Sequence, residues 1–120
     1  MKAIKIDVIN KEIYEIEISD DYKEIYKVLE CDLFTVIKPD TLPVRDVLYI
    51  DDEGLLKEKP LGAFSIRGFA QVLSGHGLIL GTGYEGASIS CFSSLDLIKS
   101  LVRFEDTHYL PEPGFQIITY

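Results

Sequence analysis

The stretch Val44-Arg45-Asp46-Val47-Leu48-Tyr49-Ile50-Asp51-Asp52-Glu53-Gly54-Leu55-Leu56 decides the fold. Val47 to Ile50 are the branched and aromatic residues that a half-buried pleated surface favours. Asp51-Asp52-Glu53-Gly54 supplies turn chemistry, with Gly54 suited to a positive φ at low steric cost. The stretch therefore reads as a strand, a sharp acidic turn and a return through Leu55 and Leu56. The other strands are expected to be arranged around this pair.

Upstream, Lys2 to Ile9 alternates, with Ile4, Ile6 and Val8 on one face and Lys5 and Asp7 on the other, as in a strand with one wet face. Asn10-Lys11 offers a two-residue turn in which Asn tolerates the left-handed region. Glu12 to Ile18 alternates again, so a β-hairpin opens the fold. Ser19-Asp20-Asp21 starts a helix, with Asp21 and Glu24 at capping-box spacing. Tyr22, Ile25, Tyr26 and Leu29 form its apolar stripe. Leu33 to Lys38 is strand-like and is broken by Pro39 to Pro43.

Downstream, Leu61 to Leu73 fits no single period and predicts an irregular crossing with a short strand near Ala63 to Ile66. Leu78-Ile79-Leu80, fenced by glycines on both sides, predicts a buried strand, and Ala87 to Cys91 is placed beside it. Ser93-Ser94 caps a second helix from about Leu95 to Phe104, with Leu97, Ile98, Leu101 and Val102 as its buried stripe. Residues 107–114 hold two prolines and are expected to be extended. Phe115 to Tyr120 alternates as a last strand that closes the sheet or adds to a neighbouring chain's edge, giving a possible homodimer. The expectation is one α+β domain over residues 1–120: a mostly antiparallel sheet of about five to seven strands with two helices packed on one face.

Composition bounds the function. The 120 residues carry a net charge of −8, and fifteen of the twenty carboxylates precede Pro60. Such a field opposes direct nucleic-acid binding and anionic membranes, and attracts a basic partner surface. The chain shows no leader and no apolar run long enough to span a bilayer, and a cytoplasmic location is expected. Cys31 and Cys91 read as separate buried thiols in a reducing compartment.

Few motifs carry chemistry. Gly81-Thr82-Gly83-Tyr84-Glu85-Gly86 matches the dinucleotide pattern G-x-G-x-x-G. That site needs a helix to begin there, whereas Ala87 to Cys91 is strand-like, so a tight turn and no cofactor are expected. His76 and His108 have no partner at ligand spacing, and Asp51-Asp52-Glu53 lacks the alternation of a calcium loop, so no metal is expected. No constellation supplies a nucleophile, a base and an oxyanion donor, so binding is expected rather than catalysis.

What remains is a ladder of carboxylates: Glu12, Glu15 and Glu17 on the second strand, Asp20, Asp21 and Glu24 at the first helix, and Asp51, Asp52 and Glu53 at the acidic turn. Along a strand such groups stand roughly 6–7 Å apart, close to the phosphate spacing of a nucleic-acid backbone. A protein carrying them can occupy a basic groove made for DNA or RNA. The alternative is a small-ligand binder that sequesters a nucleotide immune signal. It would use Gly75, His76, Gly77, Gly81, Gly83 and Tyr84 with Arg67 and Arg103.

Met1-Lys2-Ala3-Ile4-Lys5-Ile6-Asp7 before a hairpin and helix, Leu48 to Lys57, and Gly77-Leu78-Ile79-Leu80-Gly81 resemble an uncharacterised family of small domains encoded by phages, plasmids and other mobile elements. The resemblance spans roughly residues 1 to 104. Its motifs are turns and strands, and they carry no catalytic residues across. What it implies is a counter-defence inhibitor of anti-CRISPR or antirestriction type, working by binding to a host defence protein.

Overall fold

In the computed structural model, residues 1–54 and 60–110 are described. The chain is α+β, and the described residues form a six-stranded sheet, a smaller three-stranded sheet and two α-helices. Strands β1 (Lys2–Asp7) and β2 (Glu12–Glu17) form the opening hairpin, followed by helix α1 (Tyr22–Leu29) and strands β3 (Phe34–Ile37) and β4 (Asp46–Asp51). Next come β5 (Ala63–Ile66), β6 (Leu73–Ser74), β7 (Gly77–Thr82), β8 (Ser88–Ile89), helix α2 (Leu95–Leu101) and β9 (Val102–Glu105). All the pairings are antiparallel.

The order in the large sheet is β2-β1-β7-β4-β3, with β8 added to the end of β7. The middle is therefore β7 rather than the β4 stretch. Leu78, Ile79 and Leu80 are fully buried, because both faces of β7 are covered. The second sheet runs β6-β5-β9. The return expected through Leu55 and Leu56 and the strand expected at Phe115 to Tyr120 lie outside the described residues.

Two cores form, one on each face of the large sheet. Ile25 and Leu29 of α1 meet Ala3, Ile18, Leu78 and Leu80. Tyr22, Tyr26, Phe34 and Tyr49 continue that contact as a chain of rings 5.0–5.9 Å apart. On the other face, Ile4, Ile6, Leu48, Ile50 and Ile79 meet Phe64, Ile66 and Leu73 of the small sheet and Ile98 of α2. The helices thus pack on opposite faces rather than on one. Each sheet face has its own apolar set and needs its own cover.

Three local expectations are corrected. Helix α2 stops at Leu101, because Val102 to Glu105 pairs with β5, Ile66 opposite Val102, and sheet pairing overrides the helical spacing. The hairpin loop spans Val8 to Lys11, and Lys11 rather than Asn10 takes the left-handed conformation. Asn10 instead donates from its side chain to Asp7. Residues Thr107–Tyr109, expected to be extended, form a 3-10 turn capped by the Asp106 carboxylate.

Candidate interaction surface

Among the described residues strand β2 is an edge strand, and Glu12, Glu15 and Glu17 on it are exposed. The pairing of Glu15 with Ile4 and Glu17 with Lys2 puts these two carboxylates on the α2 side of the sheet. Glu12, opposite Asp7, shares the α1 side with Tyr14 and Ile16. The chain leaves β2 through exposed Asp20 and Asp21. The row is thus displayed along one edge but divided between two faces. Glu17 lies 3.5 Å from the N-terminal ammonium. Among the described residues, no lysine or arginine side chain pairs with Glu12, Glu15 or Asp20.

Other members of the predicted row have local tasks. Asp21 accepts from the Lys23 amide at 3.0 Å, and Glu24 accepts from the Ser19 amide at 2.7 Å. Together they cap the positive end of α1. Asp51 is turned inward at 3% exposure and accepts from the Glu53 amide at 2.9 Å, so it is withdrawn from the displayed set. Asp52 is exposed and Glu53 half-buried. The Asp52 amide donates to the Leu33 carbonyl, which brings exposed Asp32 near that turn, a neighbour sequence spacing does not reveal.

The residues of the alternative ligand site do not converge. Gly75-His76-Gly77 and Gly81-Thr82-Gly83 stand at opposite ends of β7, about 17 Å apart along a strand of that length. Arg103 is on β9, its side chain 83% exposed and 3.9 Å from Glu105, and Arg67 follows β5. Gly77 and Gly81 serve close packing: a Cβ would meet the Phe64 ring at 2.9 Å and the Ser90 carbonyl at 2.5 Å, respectively. The G-x-G-x-x-G run makes a 3-10 turn at Tyr84–Gly86 and returns as β8, with Ile89 opposite Gly81. The Arg45 guanidinium lies over the ring of exposed Tyr84, 5.3 Å from its centre.

Two buried polar clusters escape sequence reading. In the first, Asp7 accepts from the Ile9 and Asn10 amides, the Asn10 side chain and the Tyr14 hydroxyl. Burial pushes the Asp7 carboxyl up, but the Asn10 bonds, His76 and Tyr14 together hold it below its usual range. Burial and then the Asp7 charge push the Tyr14 phenol up. The Val8 amide lies 3.2 Å from His76 Nδ1, and His76 Nε2 lies 2.6 Å from a Glu30 carboxylate oxygen. His76 ties the C-terminal end of α1 to the turn before β7. The sequence signal was a histidine between two glycines, which reads equally well as a loop.

In the second cluster, the fully buried Asp46 carboxylate accepts from the Phe92 amide at 2.8 Å, the Ser93 amide at 2.7 Å and the Ser93 hydroxyl. The Lys38 ammonium donates to the carbonyls of Leu42, Pro43 and Asp46. Burial lowers the Lys38 pKa, and the Asp46 charge opposes that shift. Burial, followed by the Asp46 charge, raises the Cys91 thiol, which disfavours the reactive thiolate. Among the described residues, no three His, Cys, Asp or Glu side chains gather to hold a metal ion. Among the same residues, no helix is long and apolar enough to cross a membrane.

One family model, a domain of unknown function (DUF3846), matches residues 1–102. No curated protein and no solved structure matches the chain.

Proposed function

The chain belongs to the DUF3846 family, and we propose that it is a non-enzymatic binding protein that presents carboxylates to a basic groove on a protein partner. The partner is a host defence component of the CRISPR or restriction type, and the protein acts for a phage or other mobile element. The observation that carries this reading is the exposed edge Glu12, Glu15, Glu17 and Asp20, three of these carboxylates in no salt bridge among the described residues. Carboxylates held on a rigid strand meet a groove built for phosphates without first losing internal partners.

The test titrates the purified protein into a panel of CRISPR effectors and restriction nucleases and follows DNA cleavage. Inhibition of one of them is expected, weakening as salt rises from about 50 to about 300 mM because exposed charges are screened. The triple variant Glu12→Lys, Glu15→Lys, Asp20→Lys is expected to lose at least tenfold in affinity, about 1.4 kcal/mol. Undiminished inhibition by that variant would refute the reading. The rival, sequestration of a nucleotide signal, has the Arg45–Tyr84 stack beside Gly83 in its favour. A rise in melting temperature with one member of a nucleotide panel, together with no inhibition of any nuclease, would establish it instead.

A further inference from the structure

The two most exposed large hydrophobic side chains among the described residues, Val44 at 90% and Tyr84 at 85%, stand at the same end of the large sheet. Val44 and Arg45 lie just before β4, and Tyr84 and Glu85 just after β7. The Thr82 amide donates to the Arg45 carbonyl at 2.7 Å, and the Arg45 guanidinium lies 5.3 Å from the Tyr84 ring centre. Phe92, also exposed, borders Gly81 near that end of β7, where an added Cβ would meet its ring at 3.1 Å. Single exposed hydrophobic residues are ordinary, but three gathered around one arginine have the composition of an interface centre.

This end of the sheet is held in place before anything docks. Within the turn after β7, the Gly83 amide donates to the Ala87 carbonyl at 2.7 Å. The Gly86 and Ala87 amides donate to the carbonyls of Gly83 and Tyr84, both at 3.3 Å. The Phe92 amide donates to the buried Asp46 carboxylate at 2.8 Å. Tyr84 and Phe92 therefore present their rings from fixed backbone, which lowers the ordering cost of an interface. Arg45 and Glu85 are exposed, and neither forms an ion pair among the described residues. Stacking on Tyr84 leaves the guanidinium fork of Arg45 able to take a carboxylate.

The charges decide the occupant. One cation and one anion flank the same tyrosine, Arg45 over its ring and Glu85 next in the chain. A purely acidic partner surface would meet like charge at Glu85, and a purely basic one would meet it at Arg45. A surface with one charge of each sign beside an aromatic ring is what the patch itself presents. We propose that a second copy of this chain docks here about a two-fold axis, the Tyr84 rings against each other and Arg45 of each copy paired with Glu85 of the other. The contact is small, below about 1,200 Å², so the dimer is weak, with a Kd on the order of 10–100 µM. It uses none of the carboxylates on β2, so it stands or falls apart from the reading of that edge.

Sedimentation velocity on the full chain, from about 1 to about 500 µM, is expected to show a monomer passing into a dimer. Arg45→Glu and Glu85→Arg, each alone, set like charges across the axis and are expected to weaken the dimer about tenfold or more. The double variant exchanges the two charges and is expected to restore association to within about threefold of the unaltered chain. Both side chains are exposed and residue 85 keeps a Cβ at φ +60°, so circular dichroism should show the fold unchanged in all three variants. In the unaltered chain, dilution is expected to shift the amide signals of residues 44, 45, 84, 85 and 92 together, a readout that needs no variant to fold. A chain that stays monomeric at about 500 µM would overturn the proposal. So would a dimer left intact by Arg45→Glu, which would form through another surface. A double variant no better than either single one would show that the two charges do not meet, and would overturn it as well.

Discussion

Removing the Asp46 carboxylate is the sharpest perturbation of this fold. Asp46 opens β4, and its side chain reaches the segment that precedes α2. Asp46→Ala leaves the Ser93 amide and hydroxyl without their acceptor in a position where Ser93 is 1% exposed. Each abandoned buried donor costs about 1–3 kcal/mol, and the Phe92 amide, closer to solvent, about 1 kcal/mol or less. Lys38, whose ammonium faces the Asp46 carbonyl, loses a compensating charge as well. The total comes to about 2–7 kcal/mol, against a domain stability of about 5–15 kcal/mol. Urea unfolding followed by circular dichroism should show the midpoint falling steeply with the slope unchanged. Asp46→Asn, which keeps one acceptor oxygen, should fall between the variant and the unaltered chain. A loss below about 1 kcal/mol for Asp46→Ala would mean that water replaces the carboxylate and that α2 is not held through this contact.

Two glycines separate packing from backbone strain. At Gly81 an added Cβ runs into the Ser90 carbonyl, so Gly81→Ala should cost about 2 kcal/mol or more. At Gly86, φ is +79° and nothing lies within 4 Å, so Gly86→Ala should cost only about 1 kcal/mol of backbone strain. Urea midpoints in the reverse order would refute that distinction. The depressed pKa of Asp7 gives stability that is present above its unfolded value near 3.8 and lost as pH falls through the lower folded value. Asp7→Asn should therefore be less stable than the unaltered chain at pH 7, with the gap closing below about pH 4. Unfolding curves that stay parallel down to about pH 2.5 would show that this carboxylate is not the titrating group.

The parts of this fold legible in the sequence are those written in one local code. The hairpin alternation, the α1 stripe with its Asp21 cap and the Phe34–Ile37 strand all follow from spacing within a dozen residues. Long-range pairing overrides that code at Val102, where the same residue fits a helix stripe and a strand. The partner that decides is Ile66, far away in sequence. The helix faces were illegible for a similar reason: each stripe says that a helix needs a sheet, but not which face of it. For the candidate surface, spacing placed Glu15 and Glu17 together correctly. It did not show that Asp51 points inward, because the second acceptor of a turn and a surface carboxylate look alike in sequence.

The acid content of the chain is thus several populations under one net charge. Asp7 and Asp46 hold loops from inside, Asp51 closes its own turn, and Asp21 and Glu24 cap a helix. These groups are hydrogen-bonded before any partner arrives, and drawing them into an interface would leave backbone donors unmet. Among the described residues, Glu12, Glu15 and Asp20 carry no such obligation. On strand β2 the charge of Glu12 and Glu15 also opposes pairing with a stray strand, so solubility alone would favour them. A partner that reads them must therefore recognise their placement as well as their sign. Lysine at these positions, rather than neutral glutamine, is the informative change: both remove the negative charge, but only lysine opposes a basic groove directly.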